Sequence, residues 1–355
     1  MLSAILCLHG LFILGGRQPM DLTRREMIRR STAAVAAMTL FNVDSGRAAD
    51  SSRGRDRLGE LLPQRPLGRT GERVTMLGVG GAHVGGMRVE TDDDARRVID
   101  TALEGGVRFF ETAEAYGRGD SERRLGRLLT PSYRDVVFLA TKSGAKDAES
   151  ARRDLDGSLK RLNTDTLDLW QMHCLISPDD VDGRLDQAVL DVMLEAREAG
   201  KVRYIGFTGH HDPAAHERML DRTDAFDTVL MPINVLDPSY ESFITRVLPR
   251  VRELGMGVQA MKTLAAGALT RPVSDRRPNR KPLVPEHLSL AEALHFVWSL
   301  PVDVVVTGVD GVDQMSENIA LARDYRPLNE PARQRLIDKV AEFAGRTYEG
   351  YKHAV

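Results

Sequence analysis

Four side chains pose the chemical question: Glu111, Tyr116, Lys142 and His173. Each falls where a short apolar run ends, in the segments FFETAEAYG, VVFLATK and LDLWQMH. Phenol is a weak acid, with a reference pKa of about 10. A neighbouring ammonium favours the phenolate and so eases release of the proton. A carboxylate keeps that ammonium charged and aimed, and an imidazole orients a substrate oxygen or assists proton transfer. Gathered in one place, the four are the parts of a carbonyl-reducing site. The same acid–base set would also serve a lyase, isomerase or hydrolase without redox chemistry, and a non-catalytic binding protein on such a scaffold is a third reading. Taken singly, Tyr116 reads as a surface tyrosine, Lys142 as a long stem laid along apolar surface, and His173 as a core histidine. Their shared position at strand ends favours the site.

Eight short β-branched or apolar runs carry the strand signal. They are Met76–Val79, Val107–Phe110, Val136–Ala140, Leu167–Met172, Val202–Phe207, Thr228–Met231, Gly257–Ala260 and Val304–Val306. Between them lie amphipathic helices, one with Ala95, Val98, Ile99, Ala102 and Leu103 on a single face. Strands apolar on both faces and alternating with helices predict a (β/α)8 TIM barrel, whose chemistry sits at the C-terminal strand ends. A doubly wound sheet is the alternative, but no G-x-G-x-x-G opens its first turn. Pro66–Val74 reads as a β-hairpin closing the barrel floor. The proline-rich stretch Thr270 to His287 reads as a lid, and residues 331–355 as a C-terminal helix and tail.

The first 50 residues differ in character from this body. Arg24 and Arg25 precede an apolar run from Ser31 to Phe41, followed by small residues at Gly46, Ala48 and Ala49. That order is the layout of a twin-arginine export signal, which places the mature protein in the periplasm or cell envelope with no stable membrane span. Met20 is an alternative start that would bring the arginines close to the N-terminus. Residues 51–64 read as a linker and 65–330 as the barrel domain. The formal net charge of −2 gives no reason to expect nucleic acid as a partner. Of two cysteines, Cys7 would leave with the signal, so Cys174 could form no internal disulfide. It reads as a buried filler or a reactive thiol, and the linear spacing predicts no metal site.

From Pro66 to Pro327 the chain resembles the aldo/keto reductase family. The phrases that carry the likeness are PLGRTG at 66–71, LGVG at 77–80, FETAEAYG at 110–117, ATK at 140–142 and GKVRYIG at 200–206. IGFTGHHDP at 205–213 points to a divergent bacterial branch. The resemblance implies Tyr116 as proton donor, Lys142 as its activator, His173 as the orienting group and NAD(P) as hydride source. It implies cofactor contacts at Thr208, Met261, Lys262, Gly308, Gln314, Glu317 and Asn318. His83, His210 and His211 are candidates for contact with a small-molecule substrate. Several positions depart from the family pattern. Glu111 stands in place of the catalytic aspartate and adds roughly 1.5 Å of reach to a site tolerant of about 0.5 Å. Thr208, Gly209 and Leu230 stand where side chains grip the carboxamide, and Met261 where an aromatic ring stacks. Gly308 and Gln314 replace a lysine and an arginine that hold a 2′-phosphate, with Asp310 and Asp313 nearby, which argues against NADPH specificity. Export away from the cytoplasmic cofactor supply implies a dinucleotide carried out tightly bound by the twin-arginine machinery.

Overall fold

The computed structural model describes residues 54–271 and 281–352. The twin-arginine segment and the middle of the expected lid lie outside them. Eight parallel strands close into a barrel: β5 (Leu77–Gly80), β6 (Phe109–Glu111), β7 (Phe138–Ser143), β8 (Leu167–Leu175), β9 (Val202–Gly209), β10 (Thr228–Pro232), β11 (Gly257–Met261) and β12 (Val304–Thr307). Neighbours in sequence are neighbours in the barrel, and β12 pairs with β5 to close it. Helices link the strands, as the alternating pattern requires.

Why these strands carry no polar face is plain from their surroundings. One apolar cluster fills the barrel's interior, with Phe109, Ala140, Leu169, Leu230 and Val304 among its members. A larger one fills the space between strands and helices. Before the barrel, β3 (Gln64–Pro66) and β4 (Arg73–Thr75) form the expected antiparallel hairpin. It sends Leu67 and Val74 into the interior cluster and so plugs the floor. Gly68 turns this hairpin in the left-handed region, with φ of 53°, where a Cβ would lie 2.2 Å from the Gly257 nitrogen.

Two segments differ from expectation. Residues 51–64, read as linker, contain an antiparallel pair, β1 (Arg55–Asp56) and β2 (Gly59–Glu60). The cause is a distant partner: the buried Arg108 guanidinium donates to Asp56 at 2.7 and 2.9 Å, and Asp56 also accepts the Leu58 N–H at 2.8 Å. The C-terminal residues after the helix Glu330–Val340 are anchored rather than trailing. The wholly buried Lys352 ammonium meets Asp237 at 2.8 Å, Glu349 at 2.9 Å and the Tyr240 carbonyl at 2.6 Å. Of the expected lid, 272–280 is not described, while Leu283 and Val284 both donate backbone N–H groups to the Leu269 carbonyl at 2.9 Å.

Candidate active site

Strand register gathers the four residues. Glu111 ends β6 opposite Ala140 of β7, and Lys142 stands two residues further along that strand. Tyr116 follows β6 in a tight turn, and His173 rides near the end of β8. The structure brings all four together. Lys142 donates to the Tyr116 hydroxyl at 3.1 Å and to the Thr112 carbonyl at 2.7 Å, and it forms an ion pair with Glu111. The Tyr116 hydroxyl lies 3.4 Å from a Glu111 oxygen, and the His173 ring stands edge-on to Tyr116 at 5.7 Å between centroids. One carboxylate thus lies within reach of both lysine and phenol.

Burial governs the protonation states. Glu111 and Lys142 are 3% and 1% exposed, so each needs the other. Desolvation raises the Tyr116 phenol above its ordinary range, with Cys174 and Glu114 adding to the rise. Burial thus works against the acidifying pull of the Lys142 ammonium beside the hydroxyl. The phenol rests protonated, and Lys142 is aimed to stabilise the phenolate that proton donation leaves behind. Burial, and then the neighbouring Lys262 charge, press the Lys142 ammonium downward. His173 is held neutral by burial, with Lys142 the next cause.

The end of β8 is irregular. Pairing with β9 shifts between Met172 and Leu175, and Cys174 adopts φ of 58°. Arg184, 2% exposed, donates to the carbonyls of His173 and Cys174 at 2.8 and 3.2 Å, while the Cys174 N–H donates to the Thr208 hydroxyl at 3.0 Å. A regular strand would send consecutive side chains to opposite faces. Here ligand atoms of Cys174, His210 and His211 all lie within 4.8 Å of one another. The His210 and His211 rings lie 4.4 Å apart, and Tyr351 of the C-terminal segment packs on His210 at 6.2 Å. Linear reading missed Arg184 and Tyr351, because neither the strand irregularity nor the return of the tail has a local signature.

The positions implied for a nicotinamide cofactor fit in part. The Lys262 side chain, half-buried after β11 on a backbone with φ of 57°, has no carboxylate or hydrogen-bond partner for its ammonium among the described residues. An unpaired, desolvated ammonium at the mouth calls for an anion such as a diphosphate. Thr208 and Met261 lie at the ends of β9 and β11, and buried Asn318 donates to the Thr307 hydroxyl at 3.4 Å with exposed Glu317 beside it. Gly209 can carry no side chain, since a Cβ would lie 2.6 Å from the His216 ring and 2.7 Å from the Leu175 carbonyl. At Gly308 a Cβ would meet the His83 ring at 2.9 Å, and His83 pairs with Asp310 at 2.9 Å. Burial lowers the His83 pKa against the pull of Asp310. His83 is thus engaged with the loop after β12, not left free toward substrate. Gln314 likewise turns back to accept the Asp310 N–H at 2.8 Å. A bound nicotinamide would supply or accept the hydride, with Lys262, Thr208, Met261 and Asn318 as its holders.

Phenol, ammonium, carboxylate and imidazole at the C-terminal ends of barrel strands define a carbonyl-reducing barrel oxidoreductase. The aldo/keto reductase family pattern matches residues 76–328, and the chain belongs to that family. It is similar to L-galactose dehydrogenase of Arabidopsis thaliana, at 30% identity over 304 residues covering 74% of this chain and 89% of that protein. NADH-specific methylglyoxal reductase of Escherichia coli is 28% identical over 229 residues, covering 58% of this chain and 68% of that one. An aldo-keto reductase of Bacillus halodurans in its holo form superimposes with a TM-score of 0.67 at 25% identity, covering 78% of this chain and 96% of that one. The chain is an NAD(P)-dependent oxidoreductase of small carbonyl or hydroxyl compounds.

Proposed function

We propose that the protein exchanges hydride between NAD(H), in preference to NADP(H), and a small polyhydroxylated compound of the sugar class. The observation that carries the cofactor preference is the loop after β12. Where a 2′-phosphate would need cations, the His83 ring fills the space over Gly308, and Asp310 lies against that ring and takes the charge of Arg271. A carboxylate there repels a phosphate and suits a ribose hydroxyl. The sugar class is supported by the likeness to L-galactose dehydrogenase. In the reducing direction, Tyr116 protonates the substrate oxygen as the alkoxide develops. Lys142 holds the resulting phenolate, Glu111 keeps Lys142 charged, and neutral His173 orients the oxygen.

The export signal read in residues 23–49 supports a second part of the proposal: the protein works in the cell envelope with a dinucleotide bound tightly and recycled in place. Heat release of nucleotide from freshly purified protein, followed by steady-state turnover with sugars and sugar lactones, tests the whole reading. NAD(H) is expected in the supernatant. Tyr116→Phe is expected to lower kcat by about 10²–10⁴-fold while nucleotide binding persists. Turnover that proceeds at full rate after nucleotide removal would establish non-redox chemistry instead. Ready loss of nucleotide on dialysis would remove the tight-binding part alone.

A further inference from the structure

We infer that Cys174, His210 and His211 form a transition-metal site of the zinc class at the barrel mouth, next to the proton-donating tyrosine. The three come from two segments that only the fold brings together, the end of β8 and the loop after β9. Their ligand atoms already lie within 4.8 Å of one another. A tetrahedral zinc ion with one thiolate and two imidazoles needs sulfur and nitrogen about 3.5 Å apart, from bond lengths of about 2.3 and 2.1 Å. Small side-chain rotations close the difference.

Cys174 does not reach this position by default. It requires the register shift in β8, the left-handed backbone at Cys174, and the grip of buried Arg184 and Thr208 on its carbonyl and N–H. Those devices let His173 serve the tetrad while its neighbour in sequence meets His210 and His211. The two adjacent imidazoles lie side by side, tilted by 34°, and Tyr351 covers His210. Sulfur with two imidazoles is a donor set that favours zinc over magnesium or calcium. Three protein ligands leave a fourth position for water or a substrate oxygen. On binding, the Cys174 thiol gives its proton to solvent, and the sulfur lone pair forms the bond to the ion. The open fourth position makes this an exchangeable site rather than a closed structural one. The inference is independent of the nicotinamide reading.

The test uses the full chain, titrated with Co2+ alone and then with Zn2+. One equivalent of Co2+ is expected to give a near-ultraviolet thiolate-to-cobalt band with the visible bands of four-coordinate cobalt, and Zn2+ to abolish both. Cys174→Ser should remove the thiolate band and weaken Zn2+ by at least roughly 100-fold, more than loss of an outer partner costs. The double variant His210→Ala/His211→Ala should weaken it comparably. His287→Gln, whose ring lies against Phe343, should leave binding unchanged. Absence of the thiolate band in the unaltered protein overturns the inference, as does its persistence in Cys174→Ser. Circular dichroism of the metal-free variants confirms folding. If one fails to fold, the band in the unaltered protein decides.

Discussion

The Glu111–Lys142 pair invites a double-mutant cycle. Both groups are almost wholly excluded from water, and among the described residues the ion pair is supplemented only by the Thr112 carbonyl and the Tyr116 hydroxyl. Replacing Lys142 by Met leaves a carboxylate at 3% exposure with no cation against it. Removing one partner of such a pair costs about 3–5 kcal/mol. Glu111→Gln leaves the ammonium uncompensated, although a lysine can escape by losing its proton, so about 2–3 kcal/mol is expected. In Glu111→Gln/Lys142→Met no charge remains to be buried. The double variant should therefore be more stable than the sum of the singles by at least about 2 kcal/mol. Urea denaturation at neutral pH gives the three differences. Activity should move otherwise: all three variants lose turnover, because each removes the support of the Tyr116 phenolate. Additive stabilities would refute the argument that the two charges hold each other. Full turnover in Lys142→Met would refute the role given to Lys142.

Three further outcomes follow from other parts of the molecule. His216 is fully buried between Phe207 and Phe243, and burial pushes its pKa down to about 3. Its folded pKa lies below the unfolded value of about 6.5, so stability is intact above that pH and falls as pH drops toward 3. In His216→Met the acid-side slope should ease by about 1.4 kcal/mol per pH unit between roughly 6.5 and 3, read from urea midpoints across pH. An unchanged slope would show that the ring is protonated in the folded protein. Lys352→Met strands Asp237 and Glu349, both wholly buried, and should cost about 3–5 kcal/mol, a drop in Tm of roughly 6–15 °C by calorimetry. A drop below about 2 °C would mean that the tail is not held as described. Lys262→Met should weaken NADH binding by at least about tenfold in a fluorescence titration, since the lost cation is desolvated and otherwise unpaired. Equal affinity in the variant would remove Lys262 from the cofactor site.

The barrel was legible in the chain because each strand is short, apolar on both sides and followed by an amphipathic helix. Those are local properties, and the floor hairpin at Pro66–Val74 is local in the same sense. The tetrad was legible for a related reason: Glu111, Tyr116, Lys142 and His173 each follow a recognisable strand, and a barrel carries strand ends to one mouth. Other features depend on residues far apart in sequence. The pair β1–β2 rests on Arg108, and the tail on Asp237, 115 residues away from Lys352. The upward push on the Tyr116 phenol comes from how deeply the assembled walls bury it, which residue types alone do not reveal. The gathering of Cys174 with His210 and His211 depends on a shift in strand register, and a sequence shows register only where one face is polar. Periodicity thus determined the scaffold, and the family-like phrases at its strand ends pointed to the acid–base groups. Tertiary packing decided their charge states, closed the Gly209 and Gly308 positions against larger side chains, and placed a thiol beside two imidazoles.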